Sequence, residues 1–398
     1  MLFLLVIQHA VAVALEIRVC NLASEFLTHA LVLRRTGQPA RAITACLLQP
    51  LLDVPYDLLI LVESNLHRVK TSLPDISSIR PGVDFYLPMA YNEWRGRVSA
   101  SARPMGGNDS MFGDCHIHMV LDGVYYRAAI DAHKGHVRDD LIRACLEKYA
   151  QAGITYLRDG GDAFGVCQRA RELAPEYGIE YRIPCFPICL KGRYGGFIGR
   201  TFETMSDFRA LVAEVARGRG DFIKIMISGL MDFDRYGVVT SQPLTAAQIR
   251  EMIHIAHGEG FSVMAHANGA ETVLSALEAG VDSVEHGAYM DEDTVQALAG
   301  SDAVWVPTLS TVGNLIGNGR YPDEVLMRIL EGQLHNIAEC ARLGGHIALG
   351  SDAGAYCVFH ADAVGDEYAL LRRALGPQTD PMLTAGEAQI RRRFKRHV

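Results

Sequence analysis

Two histidines one residue apart, His116 and His118, close a short apolar run, Gly113–His118. In an extended strand positions i and i+2 point the same way, so both imidazoles face one side. Four more residues suited to metal chemistry follow at wide spacing: Lys224, His266, His286 and Asp352. Imidazole and carboxylate are ligands for zinc and related divalent ions. A lysine inside Phe222-Ile223-Lys224-Ile225-Met226 is costly in an apolar strand unless it is paired or liganded. Taken singly, each residue has a plainer reading. A lone histidine is usually a surface or satisfied core residue, as His133, His136, His254, His257 and His335 read here. Asp352 alone is a helix N-cap candidate. Jointly, five ligand-type residues and a lysine at strand ends read as a metal site.

The elements that must position them follow a regular alternation beyond Met111, short β-rich runs each followed by a helical pattern, which predicts a parallel sheet wound with helices. Eight strands are expected, over residues 113–118, 155–159, 181–188, 222–227, 262–267, 283–286, 304–309 and 346–351. Thr245 and Gln248 form a capping box, with Leu244 placed to staple onto Ile249. Ile249, Met252, Ile253 and Ala256 then make one apolar stripe, and Leu141, Ile142, Cys145, Leu146 and Tyr149 make another that stops at Gly153. Eight strands in about 240 residues match a (β/α)8 TIM barrel, whose strands all open their C-terminal ends on one face. Residues far apart in sequence converge there.

Composition changes near residue 110. Only five of 38 glycines lie before it, and residues 95–110 are small and polar, as a linker would be. The chain is therefore expected to divide into residues 1–110, an N-terminal extension without motif or repeat, and residues 111–398, a self-sufficient barrel. The apolar run Met1–Leu15 reads as a buried helix or strand and is too short to span a bilayer. The net charge is −8, and residues 111–398 hold 28 basic against 37 acidic residues. That balance gives no footprint for nucleic acid, and nothing suggests a membrane partner. The basic run Arg391–Arg396 is expected to be a solvated tail. Nine cysteines without regular spacing point to buried thiols in a reducing, cytoplasmic setting. Homo-oligomerisation is left open.

The five motifs, Asp114-Cys115-His116-Ile117-His118, Lys224, Ala265-His266-Ala267, Glu285-His286-Gly287 and Ser351-Asp352-Ala353-Gly354, resemble the amidohydrolase superfamily over residues 111–375. The surroundings of Lys224 and His286 are most similar to its imidazolonepropionase-related branch, especially the Xaa-Pro and Xaa-Arg dipeptidases. The chain departs from those dipeptidases at Ser228-Gly229-Leu230, where they continue Ser-Gly-Gly, and residues 1–110 do not resemble the first half of their β-sandwich. The resemblance implies two divalent metal ions, zinc first, bridged by a CO2-derived carboxylate on Lys224. His116, His118 and Asp352 would hold one ion, and His266 and His286 the other. A metal-activated hydroxide would cleave an amide bond in a small-molecule or dipeptide-like substrate, with Asp352 as proton shuttle. In the strand-end loops, Arg193 and Tyr236 are the candidate substrate contacts, a guanidinium being suited to clamp a carboxylate. The same centre supports cyclic amidases and deaminases. A non-catalytic barrel should have lost ligands, and none is missing.

Overall fold

A computed structural model of the chain describes residues 112–396. The expectations for residues 1–110, with the boundary at Met111, lie outside the described residues. The strands are β1 (Asp114–Ile117), β2 (Tyr156–Asp159), β3 (Glu180–Arg182), β4 (Pro187–Leu190), β5 (Arg200–Phe202), β6 (Ile223–Met226), β7 (Val263–Ala267), β8 (Ser283–His286), β9 (Val304–Val306) and β10 (His346–Ile347). The α-helices are α1 (Tyr126–Ala132), α2 (Asp139–Gln151), α3 (Val166–Leu173), α4 (Met205–Arg217), α5 (Ala246–Gly258), α6 (Ala270–Glu278), α7 (Glu292–Ala299), α8 (Ser310–Gly313), α9 (Asp323–Arg342), α10 (Asp362–Leu375) and α11 (Thr379–Arg393).

All ladders are parallel, and they form two sheets rather than one continuous ring: β1-β2-β3, and β10-β9-β8-β7-β6-β4-β5. The third expected strand, 181–188, is broken into β3 and β4. Pro184 lacks the N–H a ladder needs, and Cys185 takes a φ of 64°, which turns the chain out of extension. Strand β9 stops before Pro307, and the eighth expected strand pairs with β9 over only two residues. Beyond it the chain bonds to β1 instead: Cys115 N–H donates to Leu349 O (2.9 Å), Asp352 N–H to His116 O (2.7 Å) and His118 N–H to Ala353 O (2.8 Å). The short strand β5, paired with β4, was not anticipated.

The helices follow their sequence signals. Thr245 Oγ1 accepts from Gln248 N–H at 3.3 Å, and Gln248 Oε1 accepts from Thr245 N–H at 3.0 Å, so the box opens α5. The stripe Ile249, Met252, Ile253 and Ala256 is buried, as is Leu244. In α2 the stripe is narrower than expected: Ile142, Leu146 and Tyr149 are buried, whereas Leu141 is exposed. Among the described residues no helix is long and apolar enough to cross a membrane.

The basic C-terminal run is not a tail. Most of it belongs to α11, and Ile390 and Phe394 are buried with Cys115, Tyr156, Phe222, Met264, Val304, Val306 and Ala348. Arg391 pairs with Glu180 and Glu387, and Arg393 pairs with Asp282. Gly386 lets α11 approach the backbone of Ile347, which a Cβ would strike. The guanidiniums are thus tied to acidic partners around an apolar plug.

Candidate metal centre

The candidate ligands sit in the strands or in the segments that follow them. His116 lies in β1 and His118 directly follows it. Lys224 lies in β6, His266 in β7 and His286 closes β8. Asp352 follows β10 in the segment bonded to β1. The ring centroids of His116 and His118 are 5.5 Å apart, those of His116 and His286 5.2 Å, and those of His266 and His286 4.6 Å. Asp352 Oδ1 is 3.6 Å from Nε2 of both His116 and His118. His116, His286 and Asp352 each offer one ligand atom, all within 4.8 Å of one another, a His/Asp group suited to a metal ion.

The surrounding hydrogen bonds fix which ring nitrogens are left over. His286 Nδ1 meets Thr308 Oγ1 at 2.7 Å, leaving its Nε2 available. His266 Nε2 meets the carbonyl of Gly229 at 3.0 Å, which requires a proton there and leaves Nδ1 as the lone-pair nitrogen. His116 Nδ1 lies 2.8 Å from Glu285 Oε2, but neither of its ring nitrogens makes a hydrogen bond. Lys224 Nζ is fully buried and has no hydrogen-bond partner either. Unsatisfied buried donors are rare in native proteins, so this one points to a missing group.

Electrostatics agree with the geometry. Burial pushes all four histidines down, His118 and His266 to about 3, with the Lys224 charge acting in the same direction on each. They stay neutral and keep lone pairs for a cation. Burial lowers Lys224 to about 8, opposed by the charges of Glu285 and Asp352. Burial raises Asp352 to about 7 against the pull of Lys224. Two of these side chains are borne on left-handed backbone, His286 at φ 66° and Asp352 at φ 61°. Such conformations cost about 1–3 kcal/mol and persist only where the surroundings dictate them. Trp305 Nε1–H holds the His286 carbonyl at 3.0 Å, and Ser351, held by Asp114 through its N–H (2.8 Å) and Oγ (2.5 Å), anchors the Asp352 turn.

No family model matches the sequence. An uncharacterized protein of Mycobacterium tuberculosis is 28% identical over 321 residues, covering 77% of this chain and 83% of its own. The ochratoxinase of Aspergillus niger is 23% identical over 275 residues, covering 60% of this chain and 56% of its own. Among solved structures, a Xaa-Pro dipeptidase with methionine bound in its active site matches with a TM-score of 0.54 at 19% identity, over 69% of this chain and 73% of that one. The A. niger ochratoxinase structure matches with a TM-score of 0.52 at 20% identity, over 68% and 72%. A further match, a structure named as an amidohydrolase, has a TM-score of 0.52 at 20% identity, over 70% and 75%. The chain shares the fold of these solved structures.

Within this fold each of the two expected substrate contacts has a partner among neighbouring side chains. Arg193 Nη2 donates to Gln242 Oε1 at 3.0 Å, and Tyr236 is covered by Arg328, 3.8 Å from its ring centroid. Arg235 is held by Asp232. Tyr194, one residue after Arg193, comes closest: its ring is 4.9 Å from that of His266.

Sequence reading also missed an anchor behind the ligands. Arg158 and Glu285 are both fully buried, and the guanidinium meets the two carboxylate oxygens at 2.9 and 3.0 Å. Arg158 also donates to the Cys115 carbonyl at 2.6 Å and to Ser283 Oγ at 2.9 Å. The cue was present, since a charged residue in an apolar strand is what marked Lys224. Arg158, next to Asp159, reads instead as a polar strand end.

Proposed function

We propose that the chain hydrolyses an amide bond in a dipeptide-like substrate, using two divalent ions, zinc first, held by His116, His118, carboxylated Lys224, His266, His286 and Asp352. We also read the two parallel sheets, with the bonds between β1 and the segment after β10, as one (β/α)8 barrel. The observation that carries the functional reading is the buried Lys224 Nζ without a partner, set among four neutral histidines and Asp352. A bare ammonium next to two cations would be repelled. Its neutral amine, accessible because burial lowers Lys224 to about 8, adds to CO2, forming an N–C bond and losing a proton. The resulting carbamate supplies the negative charge that the site lacks.

When bound, the ions would lower the pKa of water and polarise the scissile carbonyl. The protein's own residues do the rest. Asp352, 3.6 Å from Nε2 of both His116 and His118, is placed to take a proton and return it to the departing nitrogen. The Gly229 carbonyl, which can only accept, fixes the tautomer of His266, and Thr308 holds the ring of His286 in place. The Tyr194 phenol, which burial keeps protonated, stands beside His266 as a hydrogen-bond donor for a substrate oxygen. Arg193 and Tyr236 remain candidate contacts for the outer part of the substrate.

Relatives named for dipeptide and ochratoxin chemistry support an amide substrate over the alternatives, a cyclic amide or an aminated heterocycle. The test is elemental analysis of metal-replete full-length protein, followed by a panel of dipeptides, lactams and aminated heterocycles. About two equivalents of metal and preferential dipeptide turnover are expected. Less than half an equivalent, or turnover confined to the heterocycles, overturns the reading.

A further inference from the structure

Nine large apolar side chains are exposed among the described residues, and six of them follow strand C-terminal ends: Val124, Tyr125 and Tyr126 after β1, Phe197 after β4, Tyr236 after β6 and Tyr356 after β10. Loops that follow parallel strands open on one face, the face that carries the candidate ligands. Exposed aromatics spread at random would show no such bias. Their surroundings divide them. Arg328 stacks on the ring of Tyr236, Arg320 on that of Tyr356 at 4.3 Å, and Arg127 lies 5.6 Å from the ring centroid of Tyr126. Phe197 has no such cover. Its ring contacts are Tyr126 at 5.2 Å and Tyr194 at 6.0 Å, and Tyr194 in turn lies 4.9 Å from His266. Three rings therefore step inward from the surface to a candidate ligand.

We propose that Tyr126, Phe197 and Tyr194 form an aromatic wall that selects substrates carrying an aromatic ring beside the scissile amide. The wall rests on the proposed hydrolytic reading only for the bond that is cut. The planes of successive rings are inclined by 39° to 69°, so each presents a face or an edge to a guest ring, the arrangements aromatic pairs prefer. Roughly 40% of the Tyr126 and Phe197 surface is exposed, so a guest has apolar area to cover there. Covering it removes that area from water, and a short aliphatic side chain would reach less of it. The half-buried Tyr194 ring marks the inner end of the wall, where the amide would sit.

The experiment uses full-length, metal-replete protein and the variants Phe197→Ala and Tyr126→Ala. Binding of L-phenylalanine and L-alanine is measured by calorimetry, independently of turnover, and kcat/KM is measured for Phe-Ala, Ala-Phe and Ala-Ala. Phenylalanine should bind at least about tenfold tighter than alanine, and one of the two aromatic dipeptides should lead Ala-Ala by a similar factor, revealing which side of the amide the wall holds. Phe197→Ala should shrink both ratios several-fold. Leu343→Ala, an exposed apolar residue just before β10 on the opposite face, should leave them unchanged. Selective phenylalanine binding without hydrolysis of any dipeptide would support the wall and defeat the hydrolase reading. Equal binding of the two amino acids, or ratios unmoved in Phe197→Ala, would overturn the wall even if every dipeptide is cleaved.

Discussion

Nδ1 of His116 lies 2.8 Å from Oε2 of Glu285, and the same carboxylate is gripped by Arg158 through both oxygens. His116 and Glu285 are close without making a hydrogen bond, and the other ring nitrogen of His116, Nε2, lies 3.6 Å from Asp352 Oδ1. Carboxylate partners of this kind set the tautomer of ligating histidines and typically change metal affinity 10–100-fold. Glu285→Gln keeps the shape but removes the charge, leaving Arg158 buried and uncompensated. Breaking a buried pair in this way costs about 3–5 kcal/mol. Glu285→Gln should therefore lose stability and release metal to a chelator at least about tenfold more readily. Ser283→Ala, which removes the 2.5 Å hydroxyl contact to Glu285 and the 2.9 Å bond that the hydroxyl accepts from Arg158 but leaves the Arg158–Glu285 pair in place, should show a smaller version of both effects. Unchanged chelator competition in Glu285→Gln would reduce the anchor to a structural role.

Gly160 bears on His118. A Cβ built there would stand 2.8 Å from His118 Nε2 and closer still to Cε1. Backbone cannot yield, because Gly160 N–H is bound to Ile117 O at 2.8 Å, but an imidazole can swing away. Gly160→Ala should thus fold with little loss of Tm while metal content drops by about half or more. Full metal content in that variant would mean His118 is not needed as a ligand.

Acid sensitivity can be assigned to a histidine outside the ligand set. His360 is buried, with Nε2 at 2.9 Å from Leu121 O and Nδ1 at 3.0 Å from the Tyr149 hydroxyl, and burial lowers it to about 4. Its ordinary value is 6.5, so between pH 6.5 and about 4 the unfolded chain binds a proton that the folded one refuses. Stability from this group is complete above 6.5 and falls with pH through that window, by roughly 3 kcal/mol at most. His360→Gln should be somewhat less stable at pH 7 and lose Tm less steeply down to pH 4. Parallel Tm-against-pH curves for variant and wild type would exclude His360 as a source of the slope.

The convergence of the candidate ligands was legible because chemistry-bearing residues stand out against apolar strands. Lys224 within Ile-Lys-Ile-Met is the clearest case. What was not legible depended on pairing across the chain. Arg158 and Glu285 are 127 residues apart, and nothing local to either announces the partner. Pro184 was visible as a ladder breaker inside the third expected strand, yet periodicity alone carried that strand through it. The run at 391–396 looked like a solvated tail because its charges are consecutive. Two of its acidic partners, Glu180 and Asp282, lie more than a hundred residues away, and only Glu387, one turn before Arg391, is local.

That C-terminal segment supplies the last prediction. Phe394 is fully buried, its ring 5.3 Å from Phe222 and stacked by the Arg158 guanidinium at 4.4 Å. Arg158 is the residue that holds Glu285, and Glu285 faces His116. A plug formed by α11 therefore supports the metal centre from the opposite end of the strands. Phe394→Ala would remove a large ring from a packed cluster, a change worth about 3–5 kcal/mol where the cavity cannot collapse. It would also free the guanidinium to tilt. Phe394→Leu keeps most of the apolar volume but not the π face, so its stability cost should be smaller. Both variants should lower Tm, Phe394→Ala by more. If the plug steadies the anchor as well as the core, both should also raise the ease of metal release to a chelator, with Phe394→Leu showing a larger metal effect than its Tm loss alone would give. Metal release that simply tracks Tm across the two variants would confine α11 to packing.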